Sequence, residues 1–220
     1  MKIICFSNQK GGCGKSSLLV LFAAYLKNRL NLNVSVIDAD KQRTLFSFYQ
    51  RECVKTENKP LYKVYSNSLV ELREMLDKID KEQNGILLID TPNQLHEDNF
   101  FLLSHADHVI VPYNMSDSSI LSTMTFLDVY KLLYKEDSKL IFVANAIKTS
   151  TKKEKIEDFK AYLSKDLKQG ISLVNYFKDT VDIQKINSLS IDELLIKKME
   201  DPLEELAISV GLIKIENEGE

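Results

Sequence analysis

Two hydrophobic rhythms alternate along this chain. Short runs of apolar and β-rich residues lie at 2–7, 33–38, 62–65, 85–90, 107–112 and 139–145. Between them, apolar residues return every three or four positions. Leu18, Leu19, Phe22, Ala23 and Leu26 share one helical face, and Leu69, Leu72, Leu76 and Ile79 repeat the spacing. The segment 171–212 carries weaker signals, although Leu203, Leu206 and Val210 fit a last packed helix. Residues 85–89 are apolar without alternation, as in a strand covered on both faces. Strand alternating with helix predicts an α/β fold, a mostly parallel sheet with helices on both faces. At 220 residues, one domain (1–220) with a sizeable core is expected.

The chemistry concentrates where the first strand gives way to the first helix. Residues 8–17 read N-Q-K-G-G-C-G-K-S-S, directly after the apolar run Ile3–Phe6. Three glycines in four residues, in that setting, expose backbone N–H groups to a ligand. Gly14-Lys15-Ser16 is the working end of a phosphate-binding loop, a P-loop. Gly11, Gly12, Cys13 and Gly14 form the cradle, Lys15 reaches the β/γ oxygens and the Ser16 hydroxyl faces Mg²⁺. The helix starting here adds unpaired N–H groups and the positive end of its dipole. The strict pattern G-x-x-x-x-G-K-[ST] is not met, because Gln9 stands where its first glycine belongs. Lys10, five residues before Lys15, is one lysine more than a monomer needs for its own phosphates. Spacing alone leaves Lys10 either solvated or reaching the nucleotide of a second copy. Ligands of such sheets bind at the carboxyl ends of strands, where Asp38, Asp40 and Asp90 also fall.

Charge and cysteine content narrow the setting. Lys plus Arg number 29 and Asp plus Glu 32, a formal net charge of −3. That excludes a chain coated in basic residues but leaves room for a local basic patch. Cys5, Cys13 and Cys53 form no C-x-x-C pair, so reducing, cytoplasmic surroundings are expected. No targeting segment is expected, since the first strand begins almost at residue 1. Apolar runs fall far short of the roughly 20 residues of a membrane helix. The acidic tail 215–220 is the opposite of a basic amphipathic anchor, so no membrane association is expected. His96, His105 and His108 share no ligand spacing and read as surface or packing residues.

K-G-G-x-G-K-[ST] resembles the deviant Walker A motif of the ParA/MinD superfamily of P-loop ATPases, and the resemblance spans most of the chain. Asp38-Ala39-Asp40-Lys41-Gln42 is similar to the family's D-x-D-P-Q. Ile86-Leu87-Leu88-Ile89-Asp90-Thr91-Pro92 resembles its Walker B strand and D-x-P, and residues 106–112 resemble the A-D-x-V-I-V-P strand that follows. The resemblance implies ATP and Mg²⁺ as ligands and ATP hydrolysis as the reaction. It implies that Asp40 positions or deprotonates the attacking water, and that Asp90 serves Mg²⁺ directly or through a water. Asp38 would support the magnesium shell or the loop, Ser17 would bond the α-phosphate, and Asn145, ending a late strand, would read adenine. No N-K-x-D is present, so guanine is not indicated. Lys10 of each chain would reach the partner's phosphates in an ATP-bound homodimer. Cys5 is expected on a buried strand, Cys13 in the P-loop and Cys53 after a helix, an arrangement unlike the shared cluster ligands of a nitrogenase-type relative.

The segment Gln42–Arg51 resembles the small plasmid-type ParA partition ATPases. Such proteins bind non-specific DNA with ATP and work with a DNA-bound, ParB-like adaptor. Lys152, Lys153, Lys155, Lys178, Lys185, Lys197 and Lys198 are candidates for a DNA surface, though Glu154, Glu157 and Asp158 dilute the first group. The leading reading is a DNA-partitioning or mobile-element maintenance ATPase. A MinD-like positioning ATPase and a cofactor-assembly ATPase are the alternatives. Two departures stand out: Lys41 replaces a proline, and Asn93-Gln94 replace the proline and glycine of D-T-P-P-G.

Overall fold

The computed structural model describes residues 1–55, 60–79, 84–93, 97–134, 139–167, 170–180, 183, 186, 189 and 191–214. Gln94, His96, Lys185 and the tail 215–220 lie outside them. Each expected apolar run forms a strand, with ends moved by a residue: β1 (Lys2–Phe6), β2 (Val34–Asp38), β3 (Lys63–Ser66), β4 (Ile86–Asp90), β5 (His108–Tyr113) and β6 (Leu140–Ala144). A further strand, β7 (Ile171–Ser172), was not expected, because two residues are too short to show a period. The seven strands form one sheet in the order β3-β2-β4-β1-β5-β6-β7, and every pair is parallel.

Among the described residues the helices are α1 (Lys15–Asn28), α2 (Thr44–Lys55), α3 (Leu69–Leu76), α4 (Glu97–His105), α5 (Asp117–Tyr134), α6 (Lys153–Asp166), α7 (Glu193–Lys198) and α8 (Glu200–Ser209). Side chains alternate across each strand and divide the core in two. Ile4, Phe6, Val36 and Leu88 pack with α1, α7 and α8. Ile3, Cys5, Leu87 and Val109 pack with α3, α4, α5 and α6. The α/β expectation with both faces covered is met.

Three local expectations need correction. α1 carries no single apolar face: every residue from Leu18 to Leu26 is buried, because the helix lies between the sheet and the α7–α8 layer. α3 ends at Leu76, so Ile79 packs from beyond the helix, while Ser68 and Glu71 close a capping box at its start. Cys53 lies within α2, exposed, rather than after a helix. Cys5 and Cys13 are buried.

Register is what positions the site. Phe6 pairs with Asp90 on one side of β4, and Asp38 pairs with Asp90 on the other. The last residues of β1, β4 and β2 therefore share one row. β1 is flanked by β4 and β5, where the chain reverses direction across the sheet, and ligands of open α/β sheets bind at that crevice.

Candidate functional site

The loop between β1 and α1 wraps the end of that crevice. Gly12 and Gly14 have positive φ values of 77° and 84°. At Gly14 a side chain would be strained and would also strike Asn145, whose Nδ2 lies 2.3 Å from where a Cβ would stand. Gly14 caps α1 without a side-chain hydrogen bond, and no acidic residue occupies the first turn. The first N–H groups and the positive helix end therefore face the crevice, ready for an anion. Cys13 is buried and its thiol donates to Lys10 O at 3.1 Å, with burial raising its pKa.

Asn8 anchors the loop's start. Its Nδ2 donates to Pro112 O at 2.9 Å and to Thr123 Oγ1 at 3.1 Å. Its Oδ1 accepts from Lys10 N at 3.2 Å and from Ser122 Oγ at 3.4 Å. The loop is thus tied to the end of β5 and to α5. Asn8 falls within the motif, but only this long-range contact gives it a role.

The two lysines differ. Lys15 is buried and its ammonium donates to Asn93 Oδ1. Lys10 is partly buried, and among the described residues its ammonium makes no hydrogen bond or ion pair. Ser16 Oγ donates to Asp90 Oδ2 at 2.5 Å. Asp90 Oδ1 is buried with no partner among the described residues. Burial pushes the Asp90 carboxyl up to about 7, opposed by the Ser16 hydrogen bond and by Lys15, and reinforced by Asp38 and Asp40. A buried carboxylate with one unused oxygen beside a hydroxyl is a hard-oxygen donor set that suits Mg²⁺. The residues present therefore fit that ion, with the remaining positions left to phosphates and water. Among the described residues no group of three or more His, Cys, Asp or Glu gathers to hold a metal by itself.

Asp38 is engaged differently. It is buried, and its carboxylate accepts from Asp40 N at 3.2 Å and from Phe46 N at 3.0 Å. Burial raises its pKa, against the pull of those backbone N–H groups. Here Asp38 holds the loop onto the start of α2. Asp40 stays partly exposed, accepts from Gln42 N at 2.9 Å and opens onto a cleft of about 780 Å³ lined by Lys41, Arg43, Ser66 and Asn93.

A second cleft, of about 580 Å³, opens on the other side of the loop. It is lined by Gly12, Gly14, Ser17, Asn114, Met115, Asn145, Lys148 and Asp179. Asn145 is buried and its Nδ2 donates to Cys13 O at 2.9 Å and, more distantly, to Gly14 O at 3.4 Å. The far wall is built by pairing the 177–179 segment with Ala144 and Ile147 and by Glu205, which accepts from Val174 N and Asn175 N at 2.6 and 2.8 Å. Ser17 and Asn145 thus line one cleft, Asp40 the other, with Lys15, Ser16 and Asp90 between. Of the histidines, His105 ends α4 near Asp77 and His108 begins β5. No described helix is long and apolar enough to cross a membrane.

None of the curated proteins matches the chain. Solved structures match along nearly its whole length. A plasmid partition protein of Borrelia burgdorferi B31 bound to AMPPNP superposes with a TM-score of 0.67 at 17% identity, covering 94% of this chain and 98% of that one. A chain of the MinC:MinD cell division protein complex of Aquifex aeolicus gives 0.71 at 16%, covering 100% and 99%. A pNOB8 ParA bound to nonspecific DNA gives 0.66 at 14%, covering 97% and 99%. At such identities these likenesses establish a shared fold. The sequence family described as the CobQ/CobB/MinD/ParA nucleotide binding domain matches residues 4–219, and the chain belongs to it.

Proposed function

We propose that this chain is an ATP-hydrolysing, nucleotide-switched homodimer acting in DNA partitioning or mobile-element maintenance. The observation that carries the reading is the contrast between its two P-loop lysines. Lys15 is buried among Ser16, Asp90 and Asn93, whereas Lys10 makes no contact with a carboxylate among the described residues. A lysine held at the mouth of a phosphate site without a partner suits the phosphates of a second copy, whose mutual repulsion it would offset.

Each residue then has a role. The loop N–H groups and Ser17 bind the phosphates from the α end, and Lys15 takes the β/γ end. Asn145 spends its Nδ2 on the P-loop, which leaves Oδ1 to accept from the adenine amine. Ser16 and Asp90 would hold Mg²⁺, which supplies neutralising charge to the phosphates when bound. Asp38 fixes the loop that carries Asp40. Asp40 accepts the proton of the water attacking the γ-phosphate, while Lys15 and the partner's Lys10 stabilise charge on the transferring group. Loss of the γ-phosphate removes contacts made by both chains and releases the dimer.

DNA would be held through phosphate contacts by exposed lysines. Lys152 and Lys153 start α6, Lys178 is exposed beside the second cleft, and Lys197 and Lys198 are exposed at the end of α7. Lys155 is less available, since it donates to Met115 O and to Asp117, both at 3.2 Å. The test is binding of a non-specific DNA duplex with ATP, with ADP and without nucleotide, across a salt series. Binding that needs ATP, weakens steeply with salt and is lost in Lys10→Ala supports the reading. ATP hydrolysis without DNA binding in any state would move it to a protein-positioning ATPase.

A further inference from the structure

The segment after β4 departs from the family pattern where it meets the P-loop. Asn93 stands there, exposed, with its side-chain amide against Lys15. Thr91 ties the segment to the end of β1: its N–H donates to Phe6 O at 3.2 Å and its hydroxyl donates to the same oxygen at 2.9 Å. Thr91 is fully buried, so the chain leaves β4 in a fixed direction. Two residues on, Asn93 Oδ1 accepts from the Lys15 ammonium. Its Nδ2 lies 3.6 Å from where a side chain on Gly11 would begin, over bare P-loop backbone. Asn93 also lines the cleft that holds Asp40, whereas Asn145 lines the second cleft.

These placements order the site along the nucleotide. Ser17 and Asn145 mark the α-phosphate and base end, and Lys15 marks the β/γ position. Asn93 bonds Lys15 and lines the same cleft as Asp40, which on this reading puts it at the terminal phosphate. An amide has an acceptor at one end and donors at the other, and an ammonium has three protons to share. Oδ1 can therefore keep Lys15 oriented while Lys15 also bonds phosphate, leaving Nδ2 to donate to a γ-oxygen over Gly11. ADP has no atom there.

We propose that Asn93 reads the γ-phosphate, its Oδ1 orienting Lys15 and its Nδ2 donating to a terminal phosphate oxygen, so that this residue sets the preference for ATP over ADP. The inference rests on the reading of the P-loop as an ATP site. Asn93 is a specificity residue that touches the substrate, and its loss leaves the P-loop, Ser16 and Asp90 in place.

Calorimetric titration of the full chain with AMPPNP and with ADP, both with Mg²⁺, tests it. A charge-assisted hydrogen bond of this kind predicts that Asn93→Ala weakens AMPPNP about tenfold and changes ADP by less than about twofold. Unchanged ADP affinity doubles as the control for folding. Asn93→Asp is the sharper variant, since it keeps an acceptor for Lys15 but replaces the donor with negative charge. It should weaken AMPPNP more than Asn93→Ala does and still spare ADP. If Asn93 merely parks Lys15, both variants shift AMPPNP and ADP together, because Lys15 serves the β-phosphate that both nucleotides carry. Equal shifts, or none, overturn the assignment of Asn93 while leaving the P-loop reading intact. A wild-type chain that binds neither nucleotide overturns both.

Discussion

The two sides of the P-loop are built by opposite strategies. On the side assigned to the phosphates, Lys15 and Ser16 begin α1, Asp38 and Asp90 end the neighbouring strands β2 and β4 in one row, and Asp40 follows β2 by two residues. On the side assigned to the base, Asn114 follows β5, Asn145 and Lys148 follow β6, and Asp179 lies in a later segment, joined by backbone pairing, with Glu205 holding Val174 N and Asn175 N. Changes on the first side should strike chemistry, and changes on the second should strike binding and loop shape.

The largest effects are expected on the phosphate side. Lys15→Ala should lower ATP turnover by at least about 100-fold in a phosphate-release assay, since it removes the buried cation at the β/γ position. Asp40→Ala should lower kcat by about 100-fold or more, the range of general-base catalysis. Its nucleotide affinity, measured by calorimetry, should stay within a few-fold of wild type. A strong loss of affinity instead would mean that Asp40 shapes the site rather than the reaction.

Gly14→Ala lies on the boundary between the two sides. It should cost about 1–3 kcal/mol in chemical denaturation, from the positive φ and the collision with Asn145. Asn145→Ala should weaken ATP binding about fivefold and leave kcat near wild type, as loss of one neutral hydrogen bond predicts. If Asn145→Ala abolished turnover at saturating ATP, the division of labour would fail.

A smaller effect on stability should sharpen the contrast. Asp90 carries a raised pKa in the folded chain, so between about pH 4 and 7 the folded form binds more protons than the unfolded form. Its contribution is therefore lost as pH rises through that window. In chain free of nucleotide and Mg²⁺, Asp90→Asn should raise Tm by on the order of 5 °C at pH 8 and by nothing near pH 4. No rise at pH 8 would show that Asp90 is better solvated than its burial indicates.

The same contrast explains what could be read from the sequence. The side assigned to the phosphates follows from local spacing: Gly11 to Ser16 are contiguous, Asp38 and Asp90 end apolar runs, and Asp40 comes two residues after Asp38. A mostly parallel sheet followed from the alternation of those runs with helical stretches, and the structure makes every pair parallel. Away from the P-loop itself, the second cleft was represented by Asn145 alone, because its other walls join residues about 30 to 130 positions apart in the chain. Asn93 was visible only as a departure from a pattern; its contact with Lys15 depends on how β4 is pinned to β1. α1 hid its burial for a related reason, since the α7–α8 layer that covers its outer side comes from the far end of the chain. The strand β7 and the exact extent of α3 were beyond the reach of periodicity.

In the proposed switch, the extra lysine makes nucleotide state control association. Sedimentation of Asp40→Ala, which should bind ATP without consuming it, tests this most directly. The account predicts a dimer with ATP, a monomer with ADP, and a monomer in both when Lys10→Ala is added. A chain that keeps the same mass with ATP and with ADP, while binding both, would contradict it.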